Sequence, residues 1–234
     1  MSTPAAAAPA LPARSLPSPA CATATAPSAA LAGVRTALVS VPQSPFGVAA
    51  APDGQWAFVA VSGGVDVLRA GQSLAPQLVR EIPLAGSPAG VTITPDGRYL
   101  LAALGNGAAV ISVARAERGP AGAVLGALSA PGPQGDGSAI EVAVSPDGRF
   151  AFVTLEYAGR AAVFNLADAL RAGFGAARYV GSIPLGQAAV GLAVSPDGRW
   201  LYGTSEVGAN GTGPTRPGTL TVINLRRAES APAS

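Results

Sequence analysis

The chain has no lysine and no histidine, and its single cysteine is Cys21; all fifteen of its cationic side chains are arginines. Without histidine there is no Ser-His-Asp triad, no imidazole acid–base catalyst and none of the usual histidine ligands for zinc. One cysteine excludes an intrachain disulfide and a cysteine-rich metal site. Charge is sparse as well: 12 % of the 234 residues are charged, and the formal net charge is +2. Arg226 and Arg227 are the only adjacent basic pair. The clustered positive footprint that nucleic acid demands is therefore missing. No apolar run reaches the roughly 18 residues of a membrane helix.

What is present is apolar and rich in turn formers. Hydrophobic residues make up 49 % of the chain, with 30 glycines and 22 prolines. Residues 1–33 are Ala/Pro/Ser/Thr-rich, broken by prolines, and read as a disordered tail without a clear signal peptide. "SPAC" before Cys21 faintly resembles a lipoprotein cleavage site, but Pro19 and the lack of an apolar region argue against it. Residues 229–234 read as a C-terminal tail. The body, 34–228, repeats. "APDGQ", "TPDGR", "SPDGR" and "SPDGR" recur, with their aspartates at Asp53, Asp96, Asp147 and Asp197, in steps of 43, 51 and 50 residues. Each turn (52–54, 95–97, 146–148, 196–198) follows a short apolar run and precedes an aromatic residue: Trp56, Tyr99, Phe150, Trp200. Two further apolar segments complete the first three units, and one completes the fourth. Four short strands per unit at this period mark a β-propeller blade.

The turn chemistry explains the recurring residues. Proline presets φ at the second position, Ser or Thr bonds back to the backbone, and glycine accepts positive φ. The pattern therefore reads as the connector between the first and second strands rather than as four metal ligands. The rings are expected to pack between neighbouring blades. "NLADALRAG" predicts a helical turn in the third unit, capped by Asn165 and ended by Gly173. The fourth unit lacks its last strand, while "VRTALVSVPQSP" near the N-terminus aligns with "LVREIPLAGSP" and "YVGSIPLGQAA".

"VAVSPDGRFAFVTLE" (142–156), "LAVSPDGRWLYGTSE" (192–206) and the "IPLG" link resemble the YVTN-type β-propeller repeat family and its lactonase-like seven-bladed relatives. The resemblance covers residues 35–227. It implies an all-β propeller of four-stranded antiparallel blades, and an extracytoplasmic (periplasmic or secreted) bacterial protein. It also implies about seven blades, on the order of 300 residues at this repeat length, against four here. Three arrangements stay open: an arc of a longer propeller, a four-bladed ring closed by the N-terminal strand, or two chains joined in a larger ring.

In such a fold ligands meet the rim formed by the fourth-to-first and second-to-third strand loops. Those loops are expected to hold Glu141, Glu156, Tyr157, Arg160, Glu206 and Asn210. Glu156 and Glu206 fall at equivalent places in successive units, so two carboxylates share the rim. With Arg160 they form a candidate site for a polar ligand or for acid–base work, or else a pair of solvated loop ends with Arg160 ion-paired to one. No metal or cofactor site is read from the chain. Two functional readings follow. One is a non-catalytic platform that binds a protein or a small molecule on one face. The other, resting on the resemblance, is a lactonase-like hydrolase of a small lactone or sugar-derived substrate.

Overall fold

A computed structural model describes residues 33–42, 44–132, 137–175, 178–207 and 217–230. Cys21, Asn210 and most of the expected N-terminal tail lie outside the described residues. A first unit ends at Arg35, and a second runs from Thr36 to Ser234. The second holds every strand discussed below.

The short alternating segments form strands as their turn chemistry dictates. Blade one is β1 (Val48–Ala50), β2 (Trp56–Val61), β3 (Gly64–Arg69) and β4 (Gln77–Pro83). Blade two is β5 (Val91–Ile93), β6 (Tyr99–Leu104), β7 (Gly107–Ser112) and β8 (Val124–Ser129). Blade three is β9 (Ala139–Val144), β10 (Phe150–Leu155), β11 (Arg160–Asn165) and β12 (Tyr179–Pro184). Blade four has only β13 (Gln187–Val194), β14 (Trp200–Val207) and β15 (Thr219–Asn224). Every blade is an antiparallel meander in sequence order. The innermost strands β1, β5, β9 and β13 pack on one another in succession. The chain is thus an all-β arc of propeller blades.

Short helices follow the third strand in blades two to four: α1 (Val113–Ala116), α2 (Leu166–Ala172) and α3 (Leu225–Ser230). The expected cap of α2 is in place. Asn165 Oδ1 accepts from Asp168 N at 3.0 Å, and Gly173 ends the helix at φ 92°. The other two helices, which were not expected, begin on similar caps. Ser112 Oγ accepts from Arg115 N, and Asn224 Oδ1 from Arg227 N.

The repeated turn is a hydrogen-bonded unit. Ser145 Oγ donates to Asp147 Oδ1 at 2.6 Å and accepts from Phe150 N at 3.0 Å. Asp147 Oδ1 also accepts from Arg149 N at 3.0 Å. Thr94/Asp96 and Ser195/Asp197 repeat the arrangement. Gly54, Gly97, Gly148 and Gly198 all take positive φ, between 66° and 73°. Burial works to raise the Asp147 carboxyl, but the hydrogen bonds from Ser145 and Arg149 outweigh it and hold it below the usual range. A lowered folded value means that this stability is present above the unfolded value and is lost as pH falls through the folded one. Blade one carries Ala51 where the others carry a hydroxyl, so Asp53 keeps only the bond from Gln55 N. Ser145→Ala is accordingly expected to cost about 1–2 kcal/mol, read as a lower urea midpoint at unchanged slope.

Three apolar clusters lie between successive blades, and each blade contributes one face. Phe58, Ala60, Val65 and Val67 of blade one meet Leu100, Ala102 and Ile111 of blade two. Leu101, Val110 and Leu128 meet Val142, Val153 and Phe164. Phe152, Ala161 and Val163 meet Leu201 and Leu225. Three of the four repeat aromatics belong to these layers as expected: Trp56 packs on the first, Tyr99 on the second, and Phe150 lies in the third, whereas Trp200 is in none of them. Each ring carries an arginine over its face, such as Arg98 over Tyr99 at 5.3 Å and Arg149 over Phe150 at 5.5 Å. The N-terminal segment differs from the ring-closing alternative: residues 34–42 form no strand, and among the described residues β15 pairs with β14 alone.

Candidate functional site

Glu141 lies inside β9 rather than in a loop, because the apolar run that precedes the third turn extends back through it. It is half-buried beside the neighbouring blade's entry loop. Gly90 N donates to Ile140 O at 2.7 Å, and a Cβ on Gly90 would stand 2.6 Å from Glu141 Oε1. Glycine at position 90 is therefore what lets the carboxylate occupy this place. Glu141 Oε1 accepts from Val142 N at 3.0 Å. Burial raises its pKa above the ordinary glutamate value, and the Val142 amide offsets part of that rise. Thr154 fixes the backbone below it: its hydroxyl accepts from Glu141 N at 2.9 Å and donates to Val190 O at 2.9 Å. One threonine thus ties blade three to blade four at this level.

Glu156 opens the turn after β10. Its Oε2 accepts from Ser138 Oγ at 3.2 Å, and its N–H donates to Ser138 O at 3.1 Å. Ser138 takes φ 46°, an uncommon conformation for a residue with a side chain, and one that clusters at binding sites. Tyr157 is exposed on the same turn. Arg160 is the first residue of β11, and Glu206 lies within β14, which runs two residues further than the sequence pattern suggested. The register confirms that Glu156 and Glu206 are equivalent, each following the strand residue paired to the start of the third strand. No ion pair joins Arg160 to either of them: among the described residues the only salt bridges are those of Asp168 with Arg171 and Arg178. No hydrogen bond links Glu141, Glu156 and Glu206 to one another. Asn210 is outside the described residues.

Sequence reading missed three contributors on this rim: Ser138, Thr154 and Asn106. Asn106, in the second-to-third strand turn of blade two, is buried. Its Oδ1 accepts from Gly137 N at 3.0 Å, and its Nδ2 donates to Gly132 O at 3.4 Å, so it holds both ends of the loop leading to Ser138. A cavity of about 570 Å³ lies beside Asn106, bordered by Gly86, Ser87, Leu128 and Ser129; Ser138, Glu141 and Glu156 do not line it. Each of the three missed contributors is a single polar residue inside an apolar or glycine-rich stretch. Position in the repeat was the only available signal for them. Among the described residues no group of three Asp, Glu or Cys side chains is arranged to hold a metal.

No protein-family model matches the chain, and no curated protein sequence is significantly similar to it. Solved structures do match. The periplasmic gluconolactonase of Pseudomonas aeruginosa is similar at 24 % identity and TM-score 0.54, over 68 % of this chain and 49 % of that one. A candidate 6-phosphogluconolactonase from Bacteroides uniformis is similar at 14 % identity and TM-score 0.55, over 77 % and 55 %. The chain spans about half the length of these structures. At such identities the likeness concerns the fold: this is a β-propeller architecture of the kind found in lactonase-like proteins.

Proposed function

We propose that the rim around Glu141 and Glu156 binds a small lactone of a sugar acid and promotes its hydrolysis by water. The single observation that carries this reading is Glu141, a half-buried carboxylate with a raised pKa on the innermost strand of blade three. A base of that kind is suited to take a proton from water attacking an ester carbonyl. Glu156, oriented by Ser138, would accept from ligand hydroxyls. Asn106 would hold the loop that leads to Ser138. The likeness to a gluconolactonase fold supports the substrate class, and the lack of histidine makes a carboxylate the natural base.

A second reading is favoured because Glu141, Glu156 and Glu206 share no hydrogen bond and form no ligating cluster: a platform that binds the same polar ligand, or a protein, without turnover. The two are told apart by incubating the chain with glucono-1,5-lactone and its 6-phosphate, following acid release above the spontaneous rate, and measuring gluconate binding by calorimetry. Catalysed acid release supports hydrolysis. Binding without turnover leaves the platform reading, and the absence of both overturns the hydrolase and the small-ligand platform. The periplasmic neighbour supports an extracytoplasmic location. No helix among the described residues is long and apolar enough to cross a membrane.

A further inference from the structure

The two ends of the arc carry complementary surfaces. At one end β15 has β14 on one side and, among the described residues, no strand on the other. Leu220 and Val222 on it are 62 % and 55 % exposed. They share a face with Thr204 and Tyr202, their register partners on β14. In blade one those places belong to Val65, Val67, Ala60 and Phe58, all fully buried against blade two. At the other end, the face of blade one turned away from blade two exposes Val48 and leaves Ala57 and Val59 half-buried, while their β3 partners Leu68 and Asp66 are buried. Their counterparts in blade two, Leu100 and Ala102, are fully buried.

Just before β1, residues 36–42 repeat the sequence of an outermost strand. "TALVSVP" stands beside "QLVREIP" of β4 and "YVGSIP" of β12, with a terminal proline and apolar residues one and four places ahead of it. In this structure the segment forms no strand, and Leu38 is 100 % exposed. One chain therefore presents both an unpaired strand and an unfilled place for that strand.

We propose that a second copy of this chain completes the arc: residues 36–42 of each copy add antiparallel to β15 of the other, and the outer face of blade one packs on the outer face of blade four. Two reciprocal contacts close a ring of eight blades and leave no open edge. The register is fixed by the complete blades. Gly64 faces Pro83 and Val65 faces Ile82 in blade one; Arg160 faces Pro184 and Ala161 faces Ile183 in blade three. The same register sets Thr219 against Pro42 and Leu220 against Val41 of the other copy.

Val41→Cys and Leu220→Cys, in separate differently tagged chains that both carry Cys21→Ala, are co-expressed and oxidised with diamide. A mixed disulfide dimer is expected, with at least tenfold less when Thr221→Cys, which points to the opposite face, replaces Leu220→Cys. Unmodified chain is expected to scatter light at twice its 22.8 kDa. Leu220→Glu is expected to return it to the single mass with its β-sheet circular dichroism intact. A monomeric unmodified chain overturns the proposal. So does a chain carrying both cysteines that cross-links only within itself, or a ladder of higher multiples.

Discussion

Glu141→Gln is expected to lower lactone hydrolysis by about 10²–10⁴-fold in kcat while leaving ligand binding nearly unchanged, because a positioned base acts on the transition state and not on the ground state. The amide has the shape of the protonated acid, so it fits beside Gly90 and keeps a carbonyl oxygen to accept from Val142 N. Stability is expected to move the other way. Burial raises the Glu141 pKa in the folded chain, so the stability associated with the neutral acid is fully present below the unfolded value and is lost as pH rises through the folded one. Glutamine does not ionise and keeps it. The variant should therefore melt higher than the parent at neutral pH, and the difference should vanish once pH falls below the ordinary glutamate range. Loss of turnover with a gain in melting temperature identifies a carboxylate retained for chemistry. A loss of both would make Glu141 a structural residue and remove the basis of the hydrolase reading.

Asp66→Ala is expected to stabilise the chain by about 1–3 kcal/mol at neutral pH, the usual cost of a buried polar group left without a partner. Asp66 lies in the middle of β3, is only 1 % exposed, and neither carboxylate oxygen has a hydrogen-bond partner. Burial raises its pKa, and the negative charge of Glu81, opposite it on β4, raises it further. The next two blades have Ala109 and Ala162 in its place, both buried between blades, so the backbone accepts alanine there without adjustment. The sign of the pH dependence follows from the raised pKa. The parent loses stability as pH rises through the folded value, so the part of alanine's advantage that comes from ionisation is full above that value and absent below the ordinary aspartate value. Chemical denaturation at pH 7 and at pH 3 reads both limits. Equal stability of the two chains at pH 7 would mean that the carboxylate gains a partner in solution.

The blade pattern was legible because the turn is a local device. Proline, aspartate, glycine and the following ring are neighbours in sequence, and the hydrogen bonds that hold them reach no further than five residues. The capped helix of blade three was legible for the same reason, and the two similar caps at Ser112 and Asn224 were open to the same reading. The equivalence of Glu156 and Glu206 also followed from the repeat, since equal offsets from the turn place residues at equal heights. The strand limits were less secure. β9 and β14 run past the last alternating residue, which carries Glu141 and Glu206 from the expected loops into strands.

What the sequence by itself determined was the unit: four strands, their turns, and the faces that must be buried. What only the tertiary structure decided was which units meet and what that contact does to particular side chains. The closeness of Gly90 to Glu141, 51 residues apart, is an inter-blade contact that no local pattern encodes. The same holds for the hold of Asn106 on the loop before β9 and for the bridge from Thr154 to Val190. The physical reason is that a pKa depends on everything that removes water from a group, whereas a turn depends on its own few residues.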